Sequence, residues 1–486
     1  MMLDIASTNT SFPLLETALE LERCQIQAEL ALLDEKRLAL RAKYNSLSLA
    51  VRIPPEIWAE IFLWCLAQPF PYQFSNALIS AQICRAWRVV AWTTPILWGS
   101  VHLCLARRRL KSQKEVLSKW LEASGDTPLS ITLTYMREEK AMWNAMPPHE
   151  IFQILASHSL RWRDVEMVLP SSCYNDISTV LGRTPILKSL TLTSFSSRQS
   201  GYRLDMFSIA PQLRHVELKF GCKFADVSLP WEQLETFSCQ HFSADSALDI
   251  LTFATELVEC RFNDMSSKIL NIDKFVLTSI LLPRLETLHI AGPDPTLFLH
   301  PLTTPSLQSL ELYFSGMSTL AGVVALQTRS GCSLKRLLIW DMEIDEEFLI
   351  RELQSMPSIE RLHLENSDIY RHGRSVGLST HFLNMLHPLR HDLRLHGPFL
   401  LPRLRVFSYD GEISFHDRAL ISLLGCRWKR GLIIDEALQH ETEFYRLLSF
   451  DIETSTCFRT HPKRLRKLDD LREDGLGICI MESYPF

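Results

Sequence analysis

One six-residue pattern returns throughout the second two-thirds of this chain, and it narrows the fold more than any other feature. It is Leu-x-x-Leu-x-Leu with apolar exchanges, often preceded by a proline or small residue. It reads ILKSLTL (186–192), LRHVELKF (213–220), LETFSC (234–239), LVECRF (257–262) and LETLHI (285–290). It continues as LQSLEL (307–312), LKRLLI (334–339), IERLHL (359–364) and LRVFSY (404–409), with WRDVEM (162–167) as a degenerate first copy. Start-to-start intervals run from 21 to 28 residues until one of 45 precedes the last copy. Apolar alternation over so short a stretch predicts one strand per copy. The period leaves room for one returning helix or loop, so successive strands stack in parallel and share one core. Ordinary α/β alternation is the other reading of the same segments.

Side chains alternate along a strand, so the leucines of each copy face inward and the x positions outward. The last x of successive copies gives Thr191, Glu217, Ser238, Arg261, His289, Glu311, Leu338, His363 and Ser408, and the preceding x adds His215, Glu259, Arg336 and Arg361. A repeat array has no chemistry by default; its sheet is a binding surface. Arg261, His289, Arg336, Arg361 and His363 are the candidate target-binding residues. Arg336, Arg361 and His363 make the later copies locally more basic, which suits an acidic peptide as well as plain solvated charge. The period and pattern resemble leucine-rich repeats, but the asparagine expected after each strand is missing from most copies, so irregular turns are expected.

Upstream, residues 14–49 contain no glycine or proline and are rich in Glu, Leu, Ala, Arg and Lys, a helical composition. Leu19, Ile26, Leu33, Leu40 and Leu47 recur every seven residues. Leu15, Leu30 and Tyr44 fill only part of a second seam, with Arg23 and Arg37 in its gaps. A homodimer through this leader and a solitary amphipathic helix both fit.

Between leader and repeats lies IPPEIWAEIFLWCLAQPF, a gap, and SAQICRAWRVVAWTTPILW. Pro54 and Pro55 sit where a helix starts without needing their missing N–H groups. Glu56 suits the positive end of the helix dipole. Ile57 and Ile61 share one stripe, and Trp58, Phe62 and Leu66 share its neighbour. A second helical pattern carries Ile79, Ile83, Trp87 and Val90 and ends at Pro95. So short a unit holds more large apolar side chains than it can bury alone, which implies a partner surface.

IPPEIWAEIF followed by ICRAWRVVAWTTPILW resembles an F-box, whose pattern is Leu-Pro-x-Glu-Ile, then Val-Cys-x-x-Trp and Thr-Pro-x-Leu-Trp. Ile53 and Ile83 replace the usual leucine and valine. The match spans about a tenth of the chain. The whole arrangement also resembles F-box proteins expanded in mushroom-forming fungi, including VLSKWLEASGDTPLSITL (116–133) and RLRKLDDLREDGLGICI (464–480). The resemblance implies docking to a Skp-type adaptor and, through it, a cullin-RING ubiquitin ligase. It makes Pro54, Ile57 and Ile61 adaptor-facing, with Ile83, Cys84 and Trp87 either in the contact or bracing it. The expected fold class is therefore α/β: an N-terminal helix (1–49), a small helical F-box (50–100), a connecting and N-capping region (101–160), and an irregular leucine-rich-repeat-like solenoid with a parallel sheet and C-terminal cap (161–486).

Other functions find little footing. Nucleotide loops and hydrolase or metalloprotease motifs are absent, so no enzyme, cofactor or metal is expected. A net charge of −5 offers no general attraction to nucleic acid or anionic membrane. The chain has no run of about eighteen apolar residues for a membrane span. The start lacks a secretion signal, and the twelve cysteines show no CxxC. A reduced cytoplasmic or nuclear protein is expected. His372, His381, His387, His391 and His396 crowd the 45-residue interval, but Pro388 and the lack of a completing ligand argue against a metal. The leading reading is a substrate receptor for the ligase; a scaffold that binds the adaptor without delivering substrates is the second.

Overall fold

A computed structural model describes residues 12–47, 53–67, 76–194, 204–219, 227–265, 279–292, 295–315, 318–342, 344–366, 377–388, 400–428, 431–435, 440–454 and 461–482. The chain divides into two compact units, Met1–His102 with Lys119–Thr127, and Leu103–Ser118 with Pro128–Phe486.

The first unit is helical: α1 (Phe12–Ser46), α2 (Pro55–Ala67), α3 (Asn76–Ile83) and α4 (Arg85–Trp92). Helix α2 begins at Pro55, where the missing donor costs nothing. The second helical pattern predicts one helix, but there are two. Cys84 between them is extended (φ −153°, ψ 170°), and its Sγ accepts from the Trp87 amide at 3.5 Å, capping α4. Arg88 Nε donates to Ala81 O at 2.8 Å and bridges the break. A 3₁₀ turn, Pro95–Trp98, then buries Trp98 completely. Its Nε1 donates to Ala91 O (2.7 Å), its carbonyl accepts from Trp120 Nε1 (2.8 Å), and Trp92 stacks on it at 4.3 Å. Both indole N–H groups are thus satisfied, as burial requires.

The second unit is built on a parallel sheet. Its fourteen strands, in chain order, are β1 (Ser100–Leu105), β2 (Leu129–Tyr135), β3 (Trp162–Leu169), β4 (Ser189–Ser194), β5 (His215–Lys219), β6 (Thr236–Gln240) and β7 (Glu259–Asn263). They continue as β8 (Thr287–Ala291), β9 (Ser309–Ser315), β10 (Arg336–Met342), β11 (Arg361–Asn366), β12 (Val406–Asp410), β13 (Ser449–Thr454) and β14 (Gly477–Glu482). Spatial order equals chain order throughout, so each strand pairs with its sequence neighbours. The fold is therefore mixed α/β, compatible with a solenoid.

The predicted strands fall in register. Leu190, Val216, Phe237, Cys260, Leu288, Leu310, Leu337, Leu362, Phe407 and Phe450 form one continuous inward row. All are almost fully buried. Each buried Leu or Phe contributes about 1.5–3 kcal/mol of transfer free energy, so the row holds neighbouring repeats together. At the start of each strand from β5 to β13, two successive amides share the carbonyl one repeat back: Gln308 and Ser309 both donate to Glu286 O at 2.9 Å. The same pairing recurs at Arg336, Arg361 and Ser449.

The sheet begins before the first recognised copy, with β1 and β2, and continues past the last with β13 and β14. The 45-residue interval inserts no strand between β11 and β12, which pair directly. It includes a short helix, Thr380–Leu386, packed by Phe382 and Leu383. The buried Arg427 closes over this segment, donating to the carbonyls of Leu386 (3.0 Å), Leu401 (2.9 Å) and Leu400 (2.8 Å). At the end of the chain a helix, Pro462–Glu473, buries Leu468 and stops at Gly475 (φ +98°), before β14.

Candidate interaction surfaces

In the helical unit, residues with similar chemistry divide between inside and outside. Trp58, Phe62 and Trp87 form an aromatic cluster, with Trp87 at 4.2 Å from Trp58 and 5.3 Å from Phe62. Phe62 is buried and the two indoles are half-buried, so Trp87 braces the helices against each other while Cys84 holds the cap. Ile57, Ile61 and Ile83 point the other way, 50, 37 and 59% exposed, and Pro54 is exposed as well. Trp64, 70% exposed, and Ile79, 53% exposed, are uncovered too, although the motif does not mark either. The signal for Trp64 was present: it stands seven residues after Ile57, and Ile61 lies between them on the same stripe. Uncovered isoleucines and an uncovered indole on one small module are the kind of apolar surface that marks an interface.

Helix α1 is exposed along residues 19–47, including Leu19, Ile26, Leu33, Leu40 and Leu47. The heptad row therefore has no cover within the described chain.

On the sheet, the outward row predicted from the x positions is a true row: Thr191, Glu217, Ser238, Arg261, His289, Glu311, Leu338, His363 and Ser408 are register partners in sequence. A hollow of about 320 Å³ lies over β4–β7, lined by Thr191, His215, Glu217, Ser238, Glu259 and Arg261 among others. Two of the basic candidates are already engaged. Arg261 Nε bonds Glu259 Oε1 at 2.6 Å, which strengthens the arginine's hold on its proton. Arg336 lies 3.5 Å from Glu311 and bonds Ser309 Oγ at 2.7 Å.

Glu311 is the hub of this region. His289 Nδ1 lies 3.1 Å from its Oε2, and the hydrogen bond to His289, with Arg261 and Arg336 nearby, holds the carboxyl below its usual range despite burial. His289 is buried. His363 Nδ1 sits 3.0 Å from Ser408 Oγ; its buried Nε2 has no partner, and burial lowers its pKa. Arg361 remains exposed. The five candidates are thus brought onto one face, yet their positive charge is largely balanced there.

A third outward row was not foreseen. It runs through Tyr313 and Trp340 and then, past a bulge in the β10–β11 register, through Glu365, Asp410 and Glu453. The Tyr313 and Trp340 rings stack at 4.1 Å with planes 7° apart. His381 and His387 of the predicted histidine group are described, with His387 Nε2 3.1 Å from Ser422 Oγ, whereas His372, His391 and His396 lie outside the described residues. Among the described residues no three His, Cys, Asp or Glu side chains are grouped to hold a metal ion, and no helix is long and apolar enough to cross a membrane.

No protein-family model matches the chain, and no curated protein sequence matches it. What defines its class is its architecture: a helical unit with uncovered apolar residues, and a mixed α/β unit whose fourteen-stranded parallel sheet follows chain order.

Proposed function

We propose that this chain is a non-catalytic substrate-recognition subunit of an SCF-type cullin-RING ubiquitin ligase. Its helical module is an F-box that docks a Skp-type adaptor, and its leucine-rich-repeat-like sheet binds the protein to be modified. The observation that carries the reading is the separation in the helical module. Trp58, Phe62 and Trp87 pack on one another, Phe62 buried and both indoles half-buried, while Ile57, Ile61 and Ile83 are left for another protein. Apolar side chains of this size, desolvated together, are what anchors an interface.

The chain's contribution is positional. Holding a target next to the ligase raises the effective concentration of its lysines at the charged conjugating enzyme. Ubiquitin transfer is then performed by other subunits.

Co-expression with a Skp-type adaptor tests this. The wild-type chain co-purifies with the adaptor, and Pro54→Ala/Ile57→Asp does not, while its circular dichroism stays that of wild type. Retained binding in the variant would remove the docking assignment. Adaptor binding without cullin recruitment would leave a scaffold rather than a substrate receptor.

A further inference from the structure

The outward face of the sheet changes character beyond β10. Up to β10, charged side chains answer one another: Arg261 with Glu259, Lys219 with Glu217, and His289 and Arg336 with Glu311. Beyond it, Glu365, Asp410 and Glu453 stand side by side on three adjacent strands, and Asp341 joins them from the bulge. Among the described residues no lysine or arginine pairs with these four carboxylates. Their electrostatic neighbours are one another, and all are half-buried.

At the edge of this run stands the aromatic pair. Tyr313 covers one face of Trp340; on the opposite neighbouring strand, His363 is 5.0 Å from the indole. Indoles attract cations through the ring quadrupole, and arginine adds planar stacking. Five strands at about 4.8 Å spacing make the row, from Tyr313 to Glu453, about 19 Å long, which roughly six extended residues would cross.

We propose that the outward face of β9–β13 receives an extended segment of a partner protein bearing arginine or lysine, with its cationic heads against Trp340 and among Glu365, Asp410 and Glu453. This rests on the reading of the sheet as the target-binding surface and names the chemistry of the target. The sign of the charge decides against an acidic ligand: Arg261 and Arg336 are held by Glu259 and Glu311, which leaves the exposed Arg361 against four carboxylates. The half-buried aromatic stack gives the site an anchor that a merely solvated acidic face lacks.

The test uses the full chain and three fluorescein-labelled peptides: alternating Arg/Ser, Glu/Ser and Gln/Ser, followed by anisotropy. The Arg/Ser peptide binds, and the other two do not. Glu365→Gln/Asp410→Asn weakens binding roughly tenfold, as does Trp340→Leu. Glu22→Gln/Glu29→Gln, which removes equal charge from the exposed leader, leaves it unchanged. Equal binding by both double variants would mean diffuse attraction to an acidic chain and would overturn the proposal. So would preference for the Glu/Ser peptide or failure of all three. If Trp340→Leu does not fold, the isosteric charge variant still decides. Adaptor co-purification on the same preparation separates the two readings. Adaptor capture without Arg/Ser binding rejects this surface alone, and Arg/Ser binding without adaptor capture rejects the ligase role alone.

Discussion

His289 Nδ1 lies 3.1 Å from Glu311 Oε2 on the neighbouring strand, and both side chains are largely withdrawn from water. The pair shows that the middle of the sheet face is neutralised from within. It also makes a defined pH prediction. The hydrogen bond to His289 depresses the Glu311 pKa below 4.5, so the stability it provides is fully present above the unfolded-state value and is lost as pH falls through the folded one. Glu311→Gln is expected to cost about 1–3 kcal/mol near neutral pH, because His289 and Arg336 lose a charged acceptor. Below pH 4.5 the gap from wild type should close. Urea unfolding at a series of pH values measures it; a gap that widens on acidification would contradict the assignment.

Two strands further on, the sign reverses. Burial first, and then Glu453, raises the pKa of Asp410; Glu365 is raised by burial and by Asp410, Asp341 and Glu453. A raised carboxyl contributes its stability below the unfolded pKa and loses it as pH rises through the folded value. At neutral pH these charges therefore oppose folding. Asp410→Asn should leave stability unchanged or raise it by up to about 1 kcal/mol, and so leave the unfolding midpoint the same or higher, a modest amount because the group is partly solvated. Differential scanning fluorimetry at pH 7.5 reads this directly, and destabilisation would show that Asp410 is a structural partner instead.

Much of this face was legible from periodicity alone. The Leu-x-x-Leu-x-Leu copies fix which residues face inward, and the register follows because slipping one residue would expose every leucine. Strand β13 was missed although Leu447, Phe450 and Ile452 keep the same spacing: its phenylalanine departs from the leucine-rich wording, while its partner Phe407 shows the exchange is tolerated. The third row was hidden for another reason. The six-residue pattern stops one position short of Tyr313 and Trp340, and Asp341 lies in a bulge at φ +57°, so counting by twos from Leu337 turns it inward rather than toward Glu365. In the helical module, periodicity separated the Ile57 and Trp58 stripes but could not say which was inside. That needed Trp87, which meets Trp58 from a distant segment. Nor does a lone cysteine at position 84 announce a helix break.

Arg427 makes a third prediction. It lies at the end of the helix Asp417–Arg427, 1% exposed, and spends its fork on three carbonyls flanking residues 387–399. Burial pushes its pKa down to about 9, so it stays charged at neutral pH. Arg427→Met keeps much of the volume but leaves three carbonyls without this donor. It should cost about 3 kcal/mol or more. Arg427→Lys should recover only part, since an ammonium cannot match a planar fork reaching in three directions. Thermal unfolding ranks the three proteins; equal midpoints for Lys and Arg would mean that charge, not geometry, is what the site requires.

The leader gives the last prediction. Five apolar residues at a strict interval of seven, all exposed, form a seam that a solitary helix has no reason to keep in phase. The second seam is only partly apolar, and Arg37 leans toward Asp34 at 3.8 Å instead. A weak, self-associating pair is the arrangement that buries the first seam while leaving those arginines at its margin. Light scattering should therefore give the full chain a mass of twice 56.0 kDa at high concentration, falling toward 56.0 kDa on dilution. Ile26→Asp/Leu33→Asp places two charges on the seam and should hold the chain at 56.0 kDa at all concentrations without changing adaptor capture. A wild-type chain that is monomeric even when concentrated would make α1 a solitary helix, and the seam would need a different partner.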